Sequence, residues 1–122
     1  PCDFYMKTFH HDQYWSATPK ENRLEWNVDV SQFPEHGKDH DNIWCINPEE
    51  TAQFMKTVQK PWIAFKTLAA GAIHPREAFP YAFKNGADFV CVGMCDFQVT
   101  ENAVIARNVL AQDLPRDRPW RA

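Results

Sequence analysis

Two long apolar runs without polar alternation stand out in the second half of the chain, over residues 62–68 and 89–94. Such continuous runs are typical of parallel strands that are covered on both faces. Proline is tolerated at the first residue of a strand, which is where Pro61 would lie. The pattern therefore predicts strands over residues 61–68 and 88–94.

Helix signals alternate with these strands. Asn47 is a favourable N-cap, and Pro48 suits the first helical position. Pro75 marks the start of a second helix, and Asn85 with Gly86 marks its end. The patterns predict helices over residues 47–59, 75–84 and 99–112.

Two of these helices carry further expectations. Pro80 lies inside the second helix, where proline removes a hydrogen bond, so we expect that helix to be kinked or short. The third helix has Val99, Ala103, Ala106 and Leu110 on one side, and we expect this side to face the core.

The N-terminal part of the chain shows a different pattern of apolar and polar residues. Residues 2–10 are rich in aromatic side chains and predict a strand. The polar stretch over residues 11–46 predicts a long loop, and loops of this length in compact domains are usually functional or disordered. Its tryptophans, Trp15, Trp26 and Trp44, indicate that it packs against the rest of the protein.

The alternation of strands and helices predicts an α/β fold built from βαβ units, followed by an irregular tail over residues 113–122. We interpret it as the C-terminal portion, about strands six to eight, of a (β/α)8 TIM barrel. A complete barrel takes roughly 200 to 250 residues. We therefore expect these 122 residues to be a single partial domain of a longer protein, inactive alone. A small α/β domain is the alternative.

Composition excludes some classes of partner. A formal charge of −3 and a pI near 5.9 predict no nucleic-acid partner and no attraction to an anionic membrane. No apolar run approaches the ~20 residues of a membrane span. The four cysteines form no Cys-x-x-Cys pair, and Cys91 lies in a strand-like run, where we expect a buried, reduced thiol. We expect a cytoplasmic protein.

Small residues follow both predicted strands of the second half. The turn over residues 67–71 and the glycine at Gly93 allow backbone N–H groups to approach an anion, and the following helices would add their N-termini. In a barrel, the turns after strands seven and eight commonly hold a phosphate. The alternative is that small residues merely permit tight turns.

Lys66 is the polar exception within the first apolar run. A desolvated lysine in a barrel mouth forms Schiff bases, which would make the protein an aldolase-like lyase. The alternative is a lysine whose stem is buried and whose amine reaches water. Strand alternation favours the second interpretation, with Phe65 and Thr67 facing the barrel interior.

Two further groups of polar residues are candidates for a functional site. His36, Asp39, His40, Asp41 and Cys45 are metal-ligand types, but their segment shows no helical pattern that would hold a His-x3-His pair. We interpret them as solvated loop residues and predict no metal site. His10, His11 and Asp12 end the first strand, where they would either contact substrate or play no part.

In order of elements and in two motifs, the chain resembles the C-terminal part of the aldo/keto reductase barrel. The segment Phe65-Lys66-Thr67-Leu68 is similar to the family's aromatic-x-Pro-Leu segment at the end of strand seven. Val92-Gly93-Met94 and the later run from Gln98 to Asn102 are similar to the strand-eight segment that ends in Arg-x-x-Glu-Asn.

The resemblance implies a bound nicotinamide dinucleotide and a small-molecule substrate. Phe65 would stack on the nicotinamide ring, and Lys7 is the nearest match to the polar residue that orients the carboxamide. The implied contacts to the rest of the cofactor are Thr67, Leu68 and Gly71 at the pyrophosphate, Gly93 and Met94 along its path, and Gln98, Glu101 and Asn102 at the adenosine end.

Two departures from the family motifs bear on function. Gln98 replaces the arginine that neutralises the 2′-phosphate, so the cofactor is either NADP or NAD. Thr67 replaces proline. The residues that transfer hydride in the family belong to the N-terminal half of the barrel. A barrel relative without catalysis is therefore the third interpretation, beside the reductase and the lyase.

Overall fold

The computed structural model describes residues 2–25, 27–28 and 43–121. Three strands and three α-helices alternate along these residues. They are β1 (Tyr5–Thr8), α1 (Pro48–Thr57), β2 (Trp62–Phe65), α2 (Pro75–Lys84), β3 (Phe89–Cys91) and α3 (Val99–Leu110). The chain is thus a small α/β domain.

The strands form one parallel sheet in the order β1-β2-β3. Each strand is shorter than the sequence pattern predicts over residues 2–10, 61–68 and 88–94. For β2, the physical reason is that Lys66 adopts a positive φ of 56°, which turns the chain out of extended geometry after Phe65.

Helices cover one face of the sheet. Trp62 and Ala64 of β2 are fully buried against α1 and α2. On the opposite face, Met6 is 50% exposed and Phe89 is 47% exposed. The register places Met6, Ile63 and Phe89 beside one another, so this open face is a continuous apolar surface.

Two helix expectations are wrong in detail. Pro80 does not shorten α2, which runs for ten residues because Phe79, Ala82 and Phe83 pack into the core around it. The predicted inner side of α3 is only partly buried, since Ala106 packs against the core while Val99 is 51% exposed and Leu110 is 48% exposed. The buried side of α3 carries Asn102, Ile105 and Val109 instead.

The predicted loop over residues 11–46 contains local structure in its described part. A 3₁₀ turn spans Lys20–Asn22, and Arg23 forms an antiparallel bridge with Val28. Arg23 also donates to the Asp12 carboxylate at 2.5 Å and to the Thr18 carbonyl at 2.6 Å. This part is therefore anchored to the end of β1.

The irregular tail closes the end of the sheet where the strands begin. The side chains of Asp88 and Arg118 are fully buried, and their ion pair has an N–O distance of 2.6 Å. Arg118 also donates to the carbonyls of Gly86 at 2.8 Å and Lys60 at 2.8 Å. Gly86 has to lack a side chain, because a Cβ there would lie 3.0 Å from the Arg118 side chain.

Helix lengths bear on the membrane expectation. None of the helices in the described ranges is long and apolar enough to cross a lipid bilayer.

Candidate functional site

The turn after β2 has an unusual backbone. Lys66, Ala69 and Ala70 all have positive φ values, of 56°, 46° and 55°, and Gly71 follows at 92°. A residue with a side chain is destabilised by roughly 1–2 kcal/mol in this left-handed region. Strained residues of this kind cluster at ligand-binding sites, and the rest of the fold has to hold them.

This turn leaves donors unused. The N–H groups of Ala69, Gly71, Ala72 and Ile73 donate to carbonyls within the turn. In the described part of the chain, those of Thr67, Leu68 and Ala70 donate to no backbone carbonyl of a turn or loop. Successive free N–H groups in a left-handed turn form a concave surface that attracts anions.

The Thr67 side chain adds a polar group to this turn. Thr67 is 1% exposed, and its Oγ1 finds no hydrogen-bond partner among the described residues. A buried hydroxyl without a partner is destabilising by about 1–3 kcal/mol. Because none of the described residues compensates for this cost, Thr67 is a candidate ligand contact.

Two cavities adjoin the turn. The first, here named the apolar cavity, has a volume of about 310 Å³ and is lined by Trp44, Phe65, Lys66, Thr67 and Val92 among others. It contains the aromatic residue that the sequence proposes for ring stacking. Trp44, which the sequence analysis treated only as a packing residue, forms part of its wall.

The second cavity, here named the polar cavity, has a volume of about 590 Å³. Seven of the predicted cofactor contacts line it, namely Leu68, Gly71, Gly93, Met94, Gln98, Glu101 and Asn102. Leu68, Ala70 and Gly93 line both cavities, so the strained turn separates the two. The fold thus brings all nine predicted cofactor residues to the ends of β2 and β3.

Three of these residues already have partners within the protein. The Gln98 Oε1 accepts the Cys95 N–H at 3.0 Å, so Gln98 caps the short turn before α3. Asn102 is buried, and its Nδ2 contacts the Met94 sulfur at 3.4 Å. These contacts hold the segment after β3 against α3 and shape the polar cavity.

The N-terminus of α2 does not supply anion donors as expected. The His74 carbonyl accepts the N–H groups of Glu77 and Ala78, each at 2.9 Å, and its Nδ1 accepts that of Arg76 at 3.2 Å. Because Pro75 has no N–H, the first turn of α2 is fully capped by His74. The turn between β2 and α2 is the remaining source of backbone donors.

Lys7 lies on the wrong side of the sheet for the role that the resemblance implies. Its partner in the register is Ala64, which faces the helices, whereas Thr8 pairs with Phe65. Alternation along β1 therefore puts Thr8 on the face of Phe65 and Lys7 on the other. Counting every second residue from Met6 would have identified Thr8.

Lys66 is exposed at the mouth of the apolar cavity. Its Nζ lies 4.0 Å from the centroid of the Trp44 ring, which is the geometry of a cation–π interaction.

The end of β1 lies apart from both cavities. His10 is 1% exposed, and burial lowers the pKa of its imidazole. The His11 Nε2 lies 3.0 Å from Glu77 Oε1, as an ion-pair contact without the alignment of a hydrogen bond. Asp12 pairs with Arg23. Of the three, only His10 contacts a wall of the site, through the backbone of Trp44.

The expectations for Cys91, as a buried thiol, and for Cys45, as a solvated loop residue, are both wrong. Cys91 is exposed on the open sheet face rather than buried, because α1 and α2 cover only the other face. Cys45 is buried, and burial raises the pKa of its thiol.

The metal candidates other than Cys45, namely His36, Asp39, His40 and Asp41, lie outside the described residues. Within the described ranges, no three histidine, cysteine or acidic side chains are grouped closely enough to hold a metal ion.

Comparison of the chain with protein-family models, with curated proteins and with solved structures returns no match.

Proposed function

We propose that this chain is the cofactor-binding part of an aldo/keto reductase-like (β/α)8 barrel, and that it holds a nicotinamide dinucleotide at the ends of β2 and β3. The observation that carries the proposal is the turn over residues 66–71. It combines unused backbone donors and the unpaired Thr67 hydroxyl with a cavity on each side.

The pyrophosphate fits the turn by charge. An anion there would accept hydrogen bonds from the Thr67 hydroxyl and from the backbone N–H groups of Leu68 and Ala70. Hydrogen bonds to an ionised acceptor are roughly twice as strong as neutral ones. Such bonds would compensate for both the buried hydroxyl and the left-handed backbone. The Gly71 N–H donates to a carbonyl of the turn and is not available to the anion. Glycine at this position instead allows the φ of 92° that the turn requires.

The two cavities suit the two ends of a dinucleotide. Phe65 and Trp44 offer aromatic surface to the nicotinamide ring in the apolar cavity. The polar cavity offers Glu101 and Asn102 to the adenosine end. The shared residues Leu68, Ala70 and Gly93 would then lie along the pyrophosphate.

The charge of the polar cavity favours NADH over NADPH. No lysine or arginine is among its described lining residues, and the carboxylate of Glu101 is exposed there. Carboxylates accept hydrogen bonds from a ribose 2′-hydroxyl, whereas a 2′-phosphate needs a cation such as arginine. Gln98 is uncharged and is already engaged with Cys95.

Barrel closure accounts for the open face of the sheet. Met6, Phe89 and Cys91 are exposed there, and further parallel strands beside β1 and β3 would enclose them as a barrel interior. Edge strands without partners are usually protected in native proteins. The longer protein would supply these strands together with the residues of hydride transfer.

The test is a fluorescence titration of the full-length protein that contains this chain with NADH and NADPH. We expect saturable binding, with NADH bound more tightly, and weaker binding by Glu101→Ala and Phe65→Ala. Glu50→Ala and Phe54→Ala are matched controls, since Glu50 is exposed in the first turn of α1 and Phe54 is 65% exposed. A folded protein that binds neither nucleotide would contradict the proposal and favour a non-catalytic relative.

A substitution at Gln98 tests the preference for NADH over NADPH. Gln98→Arg should raise the affinity for NADPH relative to NADH by about tenfold, which corresponds to about 1.4 kcal/mol. Gln98→Ala removes the same cap without adding a charge and separates the two effects. An unchanged ratio in Gln98→Arg would place the 2′ position of the ribose away from α3.

An aldolase-like lyase is the second candidate, because Lys66 lines the apolar cavity beside Thr67. A carbonyl substrate would form an imine with the Lys66 amine, releasing water, and the turn would hold a substrate phosphate. The Lys66 amine is exposed and lies against the Trp44 ring, so the surroundings that would desolvate a Schiff-base lysine are not seen around it among the described residues. Borohydride trapping with a carbonyl substrate, abolished in Lys66→Arg, would support the lyase against the reductase.

A further inference from the structure

The ring of His10 connects two parts of the chain that are far apart in sequence. Its Nε2 lies 3.1 Å from the Trp44 backbone nitrogen and 3.2 Å from that of Cys45. Its Nδ1 lies 2.7 Å from the His11 carbonyl oxygen. Backbone amides can only donate and carbonyls can only accept, so the ring has to be neutral with its proton on Nδ1.

Trp44, whose backbone N–H donates to His10, forms one wall of the apolar cavity. It lines this cavity together with Phe65 and Thr67. Its indole meets the His10 ring edge-on, at a centroid distance of 6.4 Å, and lies under the Lys66 amine. The position of this wall therefore depends on the two hydrogen bonds that His10 accepts.

A proton added to His10 would go to Nε2, which faces two N–H donors. It would replace both accepted hydrogen bonds by repulsion between donors. We infer that His10 is a positioning residue for Trp44, and that protonation of its imidazole releases this wall and opens the apolar cavity.

Charged neighbours of His10 act in both directions. Burial is the largest influence and lowers the pKa of His10, while the hydrogen bond to the His11 carbonyl raises it. Charges on His11 and Lys7 lower this pKa, and Asp12 raises it. From the segment before α1, the Cys45 backbone donates to the ring, and the Cys45 thiol, whose pKa is raised by burial, is hydrogen-bonded to the His10 backbone. Tyr14 meets the ring edge-on at a centroid distance of 5.7 Å.

The sign of the pH effect follows from the lowered pKa. The unfolded chain binds a proton near pH 6.5, whereas the folded chain binds it only at lower pH. The closed wall is thus fully stable above pH 6.5, and this contribution is lost as the pH falls through the folded pKa.

The test follows acrylamide quenching of Trp44 against pH in the full-length protein. Subtracting the signal of the Trp44→Phe variant isolates this residue from the other tryptophans. We expect quenching of Trp44 to rise on acidification, with a midpoint below pH 6.5. Nitrogen NMR of His10 should show the proton on Nδ1 at neutral pH.

Two variants separate a positioning role from a merely structural one. Trp44 is 39% exposed in the folded chain, so the readout is the change in its quenching. His10→Gln keeps an acceptor but cannot titrate, so quenching of Trp44 should stay at its neutral-pH level at every pH. His10→Phe keeps a ring without an acceptor, so quenching of Trp44 should be raised even at neutral pH. His74→Gln is the control for a histidine that caps α2 away from Trp44.

Three results would each overturn the inference: a proton on Nε2, a midpoint at or above pH 6.5, or the same transition in His10→Gln. None of these results depends on nucleotide binding. The inference can therefore fail while the proposed cofactor site stands, and the reverse also holds.

Discussion

The two ends of the sheet are built in opposite ways. Where the strands begin, the two Asp88 oxygens accept from four donors, namely the backbone of Trp62 and Arg121 and the side chains of Arg116 and Arg118. Where β2 ends, a turn has three left-handed residues and a buried hydroxyl without a partner among the described residues. One end uses its polar groups for stability, and the other keeps them available.

This contrast agrees with the general behaviour of parallel α/β folds. Ligands bind outside the carboxyl ends of the strands, and the opposite end serves stability. Burial of Arg116 at the end where the strands begin disfavours its charged form and lowers the pKa of its guanidinium. The neighbouring Asp88 acts in the opposite direction and raises that pKa. Stacking on Trp120, at 3.4 Å from the ring centroid, gives this cation a second partner.

The largest expected effect is at the stable end. Arg118→Ala removes the closer of the two buried arginines that pair with Asp88 and leaves only Arg116. We expect it to lower the free energy of unfolding by about 3 kcal/mol, the lower end of the range for breaking a buried ion pair. Urea denaturation measures this, with Arg107→Ala on the exposed side of α3 as the control. Equal stability of the two variants would contradict the buried network.

Thr67→Val tests the opposite end. Removing the hydroxyl should weaken dinucleotide binding by about 1.5–3 kcal/mol, roughly tenfold to a hundredfold, because it removes a hydrogen bond to an ionised group. The free energy of unfolding should stay the same or rise, since a buried hydroxyl without a partner is removed. Affinity and stability should thus change in opposite directions.

Thr18→Val is the matched control for Thr67→Val. The Thr18 hydroxyl is also buried, at 2% exposure, and unpaired within the described residues, but Thr18 lines neither cavity. It should change stability in the same direction and leave affinity unaltered. Lost stability with intact affinity in Thr67→Val would assign Thr67 to packing.

The smallest expected effect concerns the backbone of the turn. Ala70→Gly should raise the free energy of unfolding by up to about 1 kcal/mol, because glycine adopts the φ of 55° without strain. Ala72→Gly, at a φ of −70°, should lower it by roughly 0.5–1 kcal/mol. Thermal unfolding of the two variants measures this difference, and a shift in the same direction would argue against strain in the turn.

Local patterns in the sequence determined the order and type of the elements. The N-cap, proline and stop signals at Asn47, Pro75 and Gly86 predicted α1 and α2, because these signals act over a few neighbouring residues. The small residues after β2 and β3 predicted turns at the ends of these strands, and both cavities lie beside these turns.

Tertiary structure decided which side of each element is buried. The inner side of α3 is set by the capping of Cys95 by Gln98 and by packing on α2, so it carries Ile105 rather than Leu110. The ion pairs of Asp88 join residues 28 and 30 positions apart, a separation at which no local pattern signals contact. His10 and Trp44 meet over 34 positions for the same reason. Sequence alone therefore determined where the turn after β2 lies, and only the folded chain decided which side chains line the cavities beside it.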